Sequence, residues 1–330
     1  MVCREAGKIP KPMQYVFLAA ILLIAVFFRF YHLTTLPPGL GPDEAMNGNN
    51  AVEAVETNHL QMFYTEDNGR EGLYVDLVAL LLRHWPIYEP WVIRAPAAIA
   101  GVLTVLGLYL LVSELFGVGE GLIAAFLLST STWHITFSRQ GLRAILAPLL
   151  LLWSMWVMIY AFCEFPKLRT APRSSNRWWY VVVAGFLYGL GFYTYIAYRI
   201  TPLLVVLLIA SFSKRSTGFW GKMAVFLAVT LMTVWPLGWY FYSHPEAFVG
   251  RASQISIMNS PNPTRAFLTN LGKEALMFNL QGDRKQNFNG APELFLPVGI
   301  LFLLGLGACL AALVRFGCKS EPMSPPLSPC

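Results

Sequence analysis

The sequence predicts an all-α polytopic membrane protein, on three grounds. The chain is 56% hydrophobic and only 13% charged over 330 residues, with a mean hydropathy of +0.53, outside the range of soluble domains. Apolar runs of bilayer-spanning length recur along it. Basic residues collect in alternate connections between those runs, and acids collect in the others.

Spanning the hydrocarbon takes roughly 20 apolar residues per helix, and about eight runs qualify, with approximate cores at 13–30, 92–115, 119–136, 144–163, 179–197, 200–213, 223–241 and 294–314. The first follows Arg4, Lys8 and Lys11 but continues into "VFFRFYHL" with no small-residue cleavage site, so it is expected to be a retained anchor rather than a signal peptide. The connections "CEFPKLRTAPRSSNR" and "SKRSTGFWGK" and the tail "RFGCKSEP" are basic, which sets them and the N-terminus on the cytoplasmic side. The net charge of +6 is therefore topological; no basic block interleaved with aromatics points to nucleic acid. Trp178, Trp179 and Tyr180, and Trp235, Trp239 and Tyr240, read as interfacial belts.

The first outer loop, about 31–90, carries Asp43, Glu44, Glu53, Glu56, Glu66, Asp67, Glu71, Asp76 and Glu89 against Arg70 and Arg83. Its length exceeds that of ordinary connections and calls for a functional reason. "DEAMNGNNAVEAVETN" suits a short helix starting after Pro42, and "REGLYVDLVALLLRHW" suits an amphipathic helix along the interface. Held above the membrane by "PPGLGP", Asp43 reads either as a general base at a helix start or as an ordinary helix cap followed by a first-turn Glu44. A second outer segment, 243–293, is polar and turn-rich and reads as a surface loop offering Arg251, Asp283 and Arg284.

Five arginines break the charge rule. Arg29, Arg94, Arg139, Arg143 and Arg199 all fall at outer helix ends, where topology has no use for cations. They are expected to face an anion or acidic partners; snorkelling and pairing with loop acids are the alternatives. All five histidines lie on the outer side without metal-ligand spacing, and the five cysteines fall in the membrane or inside it. "GFLYGLG", with Gly185 and Gly189 four apart inside a span, is a helix-packing signal. There is no Walker motif, dinucleotide fingerprint or Ser/His/Asp arrangement.

Taken in order, "RFYHLTTLPPGLGPDEA", "NGREGLY", "VIRAPAAIAGVLTVLGLYLLVSELFG", "WHITFSRQGLRAILAPLL" and "GFYTYIAYRITPL" resemble the family 39 glycosyltransferases of the GT-C fold, relatives of protein O-mannosyltransferases and the lipid A aminoarabinose transferase. The resemblance covers about 15–300. It implies a GT-C helical bundle with a long first extracytoplasmic loop bearing short interfacial helices, in one module over 1–318 followed by a disordered tail at 319–330. It implies a polyprenyl-phosphate-linked sugar donor, membrane lipids around it, a lipid, glycan or protein acceptor and an inverting reaction. Asp43 matches the family's loop-one catalytic acid and Glu44 its partner; Arg70, Arg139 and Arg199 match basic residues that approach the donor phosphate. Glu71, Arg143, Tyr195, Asp283 and Arg284 are further substrate-binding candidates. The proline-rich "KPP" form usual in that loop is replaced by "REGLY". No cofactor is expected, with a divalent metal left open, and the location implied is a bacterial plasma membrane with an extracytoplasmic active site. Two other functions remain: a transporter or lipid flippase, and a truncated non-catalytic membrane protein.

Overall fold

The computed structural model describes residues 9–66, 69–162, 178–212, 218–254, 256–282 and 290–317. They form two compact units, Met1–Pro263 and Thr264–Cys330. The first unit begins with α1 (Lys11–Phe30) and α2 (Pro42–Glu56), then a two-stranded antiparallel hairpin of β1 (Phe63–Tyr64) and β2 (Arg70–Glu71), then α3 (Leu73–His84). It continues with α4 (Pro90–Leu115), α5 (Val118–Thr130), α6 (Thr132–Arg139), α7 (Leu146–Phe162), α8 (Trp178–Leu190), α9 (Pro202–Phe212), α10 (Phe219–Ser243) and α11 (Pro245–Gln254). The second holds most of α12 (Pro263–Met277), and α13 (Leu296–Gly317).

Among the described residues four helices, Lys11–Phe30, Pro90–Leu115, Arg143–Phe162 and Phe219–Ser243, are long and apolar enough to cross a membrane, and four shorter apolar helices accompany them. Together they fall on the runs expected from the sequence. Two boundaries differ. The third run breaks at Ser131, whose hydroxyl caps α6 by accepting from the amide of His134, so the span ends at Thr130 and a separate short helix carries His134, Ser138 and Arg139. The segment 243–293, expected to be a loop, instead contains α11 and α12; prolines at their first positions start both helices. Its residues 283–289, with Asp283 and Arg284, lie outside the described residues, as do the side chain of Arg251, the inner connection 163–177 and the tail 318–330.

Three clusters hold the first unit together. Ile21, Ala25, Val105, Leu122 and Ala125 join α1, α4 and α5. A second cluster, including Val157, Ala161, Val181, Ala184, Met223 and Phe226, joins α7, α8 and α10. There Gly185 and Gly189 allow the close approach the sequence signalled: a Cβ at 185 would lie 2.7 Å from the Phe226 carbonyl, and one at 189 would lie 2.7 Å from Thr233 Cβ.

The third cluster converts the first loop into structure. Ala51 and Ala54 of α2, Tyr64 of β1, and Tyr74, Val75, Val78, Ala79 and Leu82 of α3 pack with Val92, Ala97 and Ala100 of α4 and with Ile145 and Leu146. The apolar positions of α3 recur at 75, 78, 79 and 82, the spacing of one helical face. The hairpin is fixed beside it. Gly69 supplies the positive φ, +92°, that turns the chain into β2, and Gly72 packs so closely on the Gln61 carbonyl that a Cβ would lie 1.9 Å from it. Tyr64 Oη donates to Asp76 Oδ1 at 2.8 Å, tying β1 to α3. Burial pushes the Asp76 carboxyl up from the usual carboxylate range, and the Tyr64 hydrogen bond works against that shift.

Candidate active site

The helix end expected to face outward gathers all five misplaced arginines, but they do different work. α2 begins at an N-cap Gly41, with Pro42 next, so Asp43 is the second helical residue and not the cap. The cap is closed by Glu44, whose Oε2 accepts from the Gly41 amide at 2.9 Å. This frees the Asp43 carboxylate, which is 55% exposed.

Arg70 is 2% exposed and turns onto α2: Nη2 reaches Asp43 Oδ1 at 3.1 Å, while Nη1 donates to Asn47 Oδ1 at 3.0 Å and to the Asp43 carbonyl at 3.3 Å. The contact grips one carboxylate oxygen on a largely exposed side chain. Arg70 was expected to approach a donor phosphate. Here it is buried, and these contacts place its guanidinium on Asp43.

Glu44 is 2% exposed and its oxygens are all spoken for: Arg94 Nε at 2.9 Å and the Gly141 amide at 2.9 Å on Oε1, the Gly41 amide and Arg94 Nη2 on Oε2. Arg94, fully buried at the start of α4, further donates to the carbonyls of Leu33 and Gly39. Glu44 is thus the keystone between the loop after α1, α2, α4 and the turn after α6. Each of its two oxygens accepts from two donors of the fold.

Arg139, expected at the phosphate, donates to three backbone carbonyls, those of Phe28, Tyr31 and Leu36, and so ties α6 to the end of α1. Arg29, fully buried on α1, donates to Ser129 and Leu128 carbonyls and to His134 Nδ1 at 2.7 Å. Since a guanidinium only donates, His134 must accept at Nδ1 and carry its proton on Nε2. Burial first, and the Arg29 charge second, push the His134 imidazole down to about 3.

The two remaining arginines meet at one acid. In the two-residue strand β2, neighbouring side chains point to opposite faces: Arg70 goes to Asp43, and Glu71 goes the other way. Glu71, whose side chain is 3% exposed, bridges Arg143 Nε at 3.4 Å and Arg199 Nη2 at 3.4 Å. Arg143 is buried, with its guanidinium carbon 5.7 Å from the Tyr195 ring centroid. Glu71 thus pairs with two cations at once, and the Tyr195 ring lies against Arg143.

Arg199 retains partial exposure. Its guanidinium stacks on Phe241 (5.1 Å) and Phe248 (4.7 Å) and lines a cleft of about 530 Å³, in which Phe192, Val234, Leu237, Phe241, Phe248 and Val249 form apolar walls. Among the lining residues Arg199 is the only charged one. The β1 ring of Phe63 packs on Tyr240 and Phe241 at the same end of α10. The strand carrying Arg70 and Glu71 is thereby seated beside the cleft. Sequence reasoning found the acids and arginines here but missed Asn47, Phe241 and Phe248; Asn47 could have been found as the residue one helical turn from Asp43 on α2's polar face.

Comparison with known proteins agrees with this architecture. Residues 88–239 match the family described as dolichyl-phosphate-mannose-protein mannosyltransferase. A Bacillus subtilis (strain 168) protein named "Putative mannosyltransferase YkcB" is 29% identical over 153 residues, covering 44% of this chain and 20% of its own. Among solved structures, ArnT from Cupriavidus metallidurans bound to undecaprenyl phosphate superposes with a TM-score of 0.56 at 16% identity, covering 84% of this chain and 53% of ArnT. AglB from Archaeoglobus fulgidus, an oligosaccharyltransferase in complex with an inhibitory peptide and a dolichol-phosphate, gives 0.59 at 17% identity, covering 93% of this chain and 45% of AglB. The chain thus spans about half the length of these solved relatives, and a fifth of YkcB. Residues 88–239 are thus similar to the dolichyl-phosphate-mannose-protein mannosyltransferase family, and the helices take the GT-C fold shared with ArnT and AglB.

Proposed function

We propose that this protein is an inverting glycosyltransferase that moves a sugar from a polyprenyl-phosphate-linked donor to a hydroxyl or amine of a lipid, glycan or protein acceptor, at the extracytoplasmic face of a membrane. The observation that carries the proposal is the pairing, across the Arg70–Glu71 strand, of a solvent-reaching Asp43 carboxylate with an Arg199 guanidinium standing at an apolar cleft. The cleft's chemistry, hydrocarbon walls with one cation, suits an isoprenoid chain ending in phosphate. ArnT bound to undecaprenyl phosphate and AglB in complex with a dolichol-phosphate give the same ligand class in the same fold.

In this mechanism the free oxygen of Asp43 accepts the proton of the acceptor group as that group attacks the anomeric carbon. The anomeric carbon–oxygen bond breaks, and the electron pair leaves on the polyprenyl phosphate. Arg199 offsets the charge that grows on the phosphate, with Arg143 behind it; no second carboxylic acid is needed, because phosphate is a competent leaving group once its charge is compensated. Arg70 keeps Asp43 in one rotamer, so the base does not have to be ordered during the reaction.

The test is Asp43→Asn in a membrane assay with labelled polyprenyl-phosphate sugar. Loss of a general base should lower transfer about 10²- to 10⁴-fold at normal protein level. Undiminished transfer would sink the assignment.

A further inference from the structure

Asn47 lies one helical turn after Asp43 on α2, is 1% exposed, and is engaged at both ends of its amide by groups distant in sequence. Oδ1 accepts from Arg70 Nη1 at 3.0 Å, and Nδ2 donates to the Gly141 carbonyl at 2.7 Å. Gly141 is gripped a second time, through its amide, by Glu44 Oε1 at 2.9 Å. Two side chains three residues apart on α2 therefore hold both polar groups of one residue in the turn between α6 and α7. Only glycine fits there: a Cβ would lie 2.6 Å from Ile93 Cγ2 and 3.3 Å from the Ile93 carbonyl. Arg143, the cation facing Glu71, follows two residues later.

We propose that Asn47 is a positioning residue that couples the acid to the cations: it fixes the guanidinium of Arg70 against Asp43 and, through Gly141, fixes the turn that delivers Arg143. The position calls for an acceptor toward Arg70 and a donor toward a carbonyl at once, and a short primary amide supplies them on two separate atoms of one branched side chain. Aspartate offers no donor when ionised, and leucine offers neither. Asp43 Oδ1 is met by Arg70 Nη2 while Nη1 is shared by Asn47 and the Asp43 carbonyl, so Asn47 sets the rotation of the guanidinium plane. This role rests on the reading of Asp43 as base, but the contact itself does not.

The experiment uses the full chain in lipid nanodiscs and reads modification of individual arginines by phenylglyoxal with peptide mass spectrometry, beside sugar transfer. In Asn47→Leu, which keeps the branched heavy-atom skeleton and removes both hydrogen bonds, Arg70 should become reactive about fivefold faster. Arg94, equally buried but bonded elsewhere, should not change. Transfer should lose about tenfold in kcat with the donor KM within about twofold, because the donor's own contacts remain. Asn47→Asp, which keeps the acceptor, should leave Arg70 protected while hydrogen exchange in the 139–143 peptide accelerates. Arg70 remaining protected in Asn47→Leu would overturn the proposal, and so would Arg94 loosening in step with Arg70, which marks a general packing defect. If Arg70 is freed as expected but Asp43→Asn transfers sugar normally, the base assignment fails while the positioning of Arg70 stands.

Discussion

Glu44 offers the sharpest separation of structure from chemistry, because it sits beside the proposed base and yet touches nothing outside the fold. Replacing it with alanine removes at one stroke the partner of a fully buried Arg94, the acceptor of the Gly41 amide and the acceptor of the Gly141 amide. Breaking a buried ion pair by deleting one partner costs about 3–5 kcal/mol. Arg94 keeps two carbonyl acceptors, at Leu33 and Gly39, which places the loss toward the lower end; the stranded amides add about 1 kcal/mol each. At roughly 2 °C per kcal/mol for a chain of this size, the apparent Tm should fall by roughly 10–12 °C. The assay is thermal unfolding of the detergent-solubilised protein by size-exclusion chromatography. Wild type, Glu44→Ala and Glu44→Gln are compared, with sugar transfer measured at a temperature where each is folded. The structure requires Glu44→Gln to be destabilised as well, since an amide presents a donor to Arg94 or to a backbone amide. A Glu44→Gln protein as stable as wild type but without transfer would refute the reasoning and return Glu44 to the chemistry.

Arg199→Ala should raise the KM for the lipid donor and lower kcat, together costing about 10²-fold in kcat/KM; Arg199→Lys should restore little, since lysine cannot stack in the same plane on Phe241 and Phe248. Arg139→Ala, by contrast, should lower stability with little effect on the donor KM, because its contacts are the carbonyls of Phe28, Tyr31 and Leu36. Gly185→Leu should destabilise the α8–α10 packing by about 1–3 kcal/mol through overpacking against the Phe226 carbonyl, seen as a lower Tm. His134 is held neutral in the fold down to about 3, against an ordinary value of 6.5. Below about pH 6.5 the unfolded chain takes up a proton that the folded one refuses, so stability falls at about 1.4 kcal/mol per pH unit until the folded imidazole titrates near pH 3. Unfolding scans at pH 7 and pH 5 should show that His134→Asn, which keeps an acceptor for Arg29, loses roughly 2 kcal/mol of this dependence.

The helices were legible in the sequence because bilayer-crossing segments announce themselves by composition and length, and the break at Ser131 was missed because an intrahelical cap inside an apolar run changes no hydropathy. The helical character of 243–293 was missed for the opposite reason: α11 and α12 are polar on the whole, and their starts are marked only by Pro245 and Pro263 amid other turn residues. At the site, Arg199 stood out by its position against the charge rule, Asp43 by its place at a helix start and Arg70 by the family resemblance, and the charge rule speaks of side of membrane only. It could not tell an arginine capping carbonyls, like Arg139, from one at a cleft, like Arg199.

By itself the sequence determined that this is a helical membrane chain, which end of its helices gathers acids and arginines, and that α2 begins near Pro42, because hydropathy, charge asymmetry and helix-start chemistry act over a few residues or along one helix. Tertiary structure alone decided the pairings: Glu44 with Arg94 across fifty residues of chain, Arg70 with Asp43, Glu71 with both Arg143 and Arg199, and Asn47 with Gly141. All these acids and cations are alike in one dimension. Which acid is spent on a buried partner and which is left facing solvent depends on where α2, the hairpin and α4 pack, and hence on desolvation, which no local stretch of sequence records.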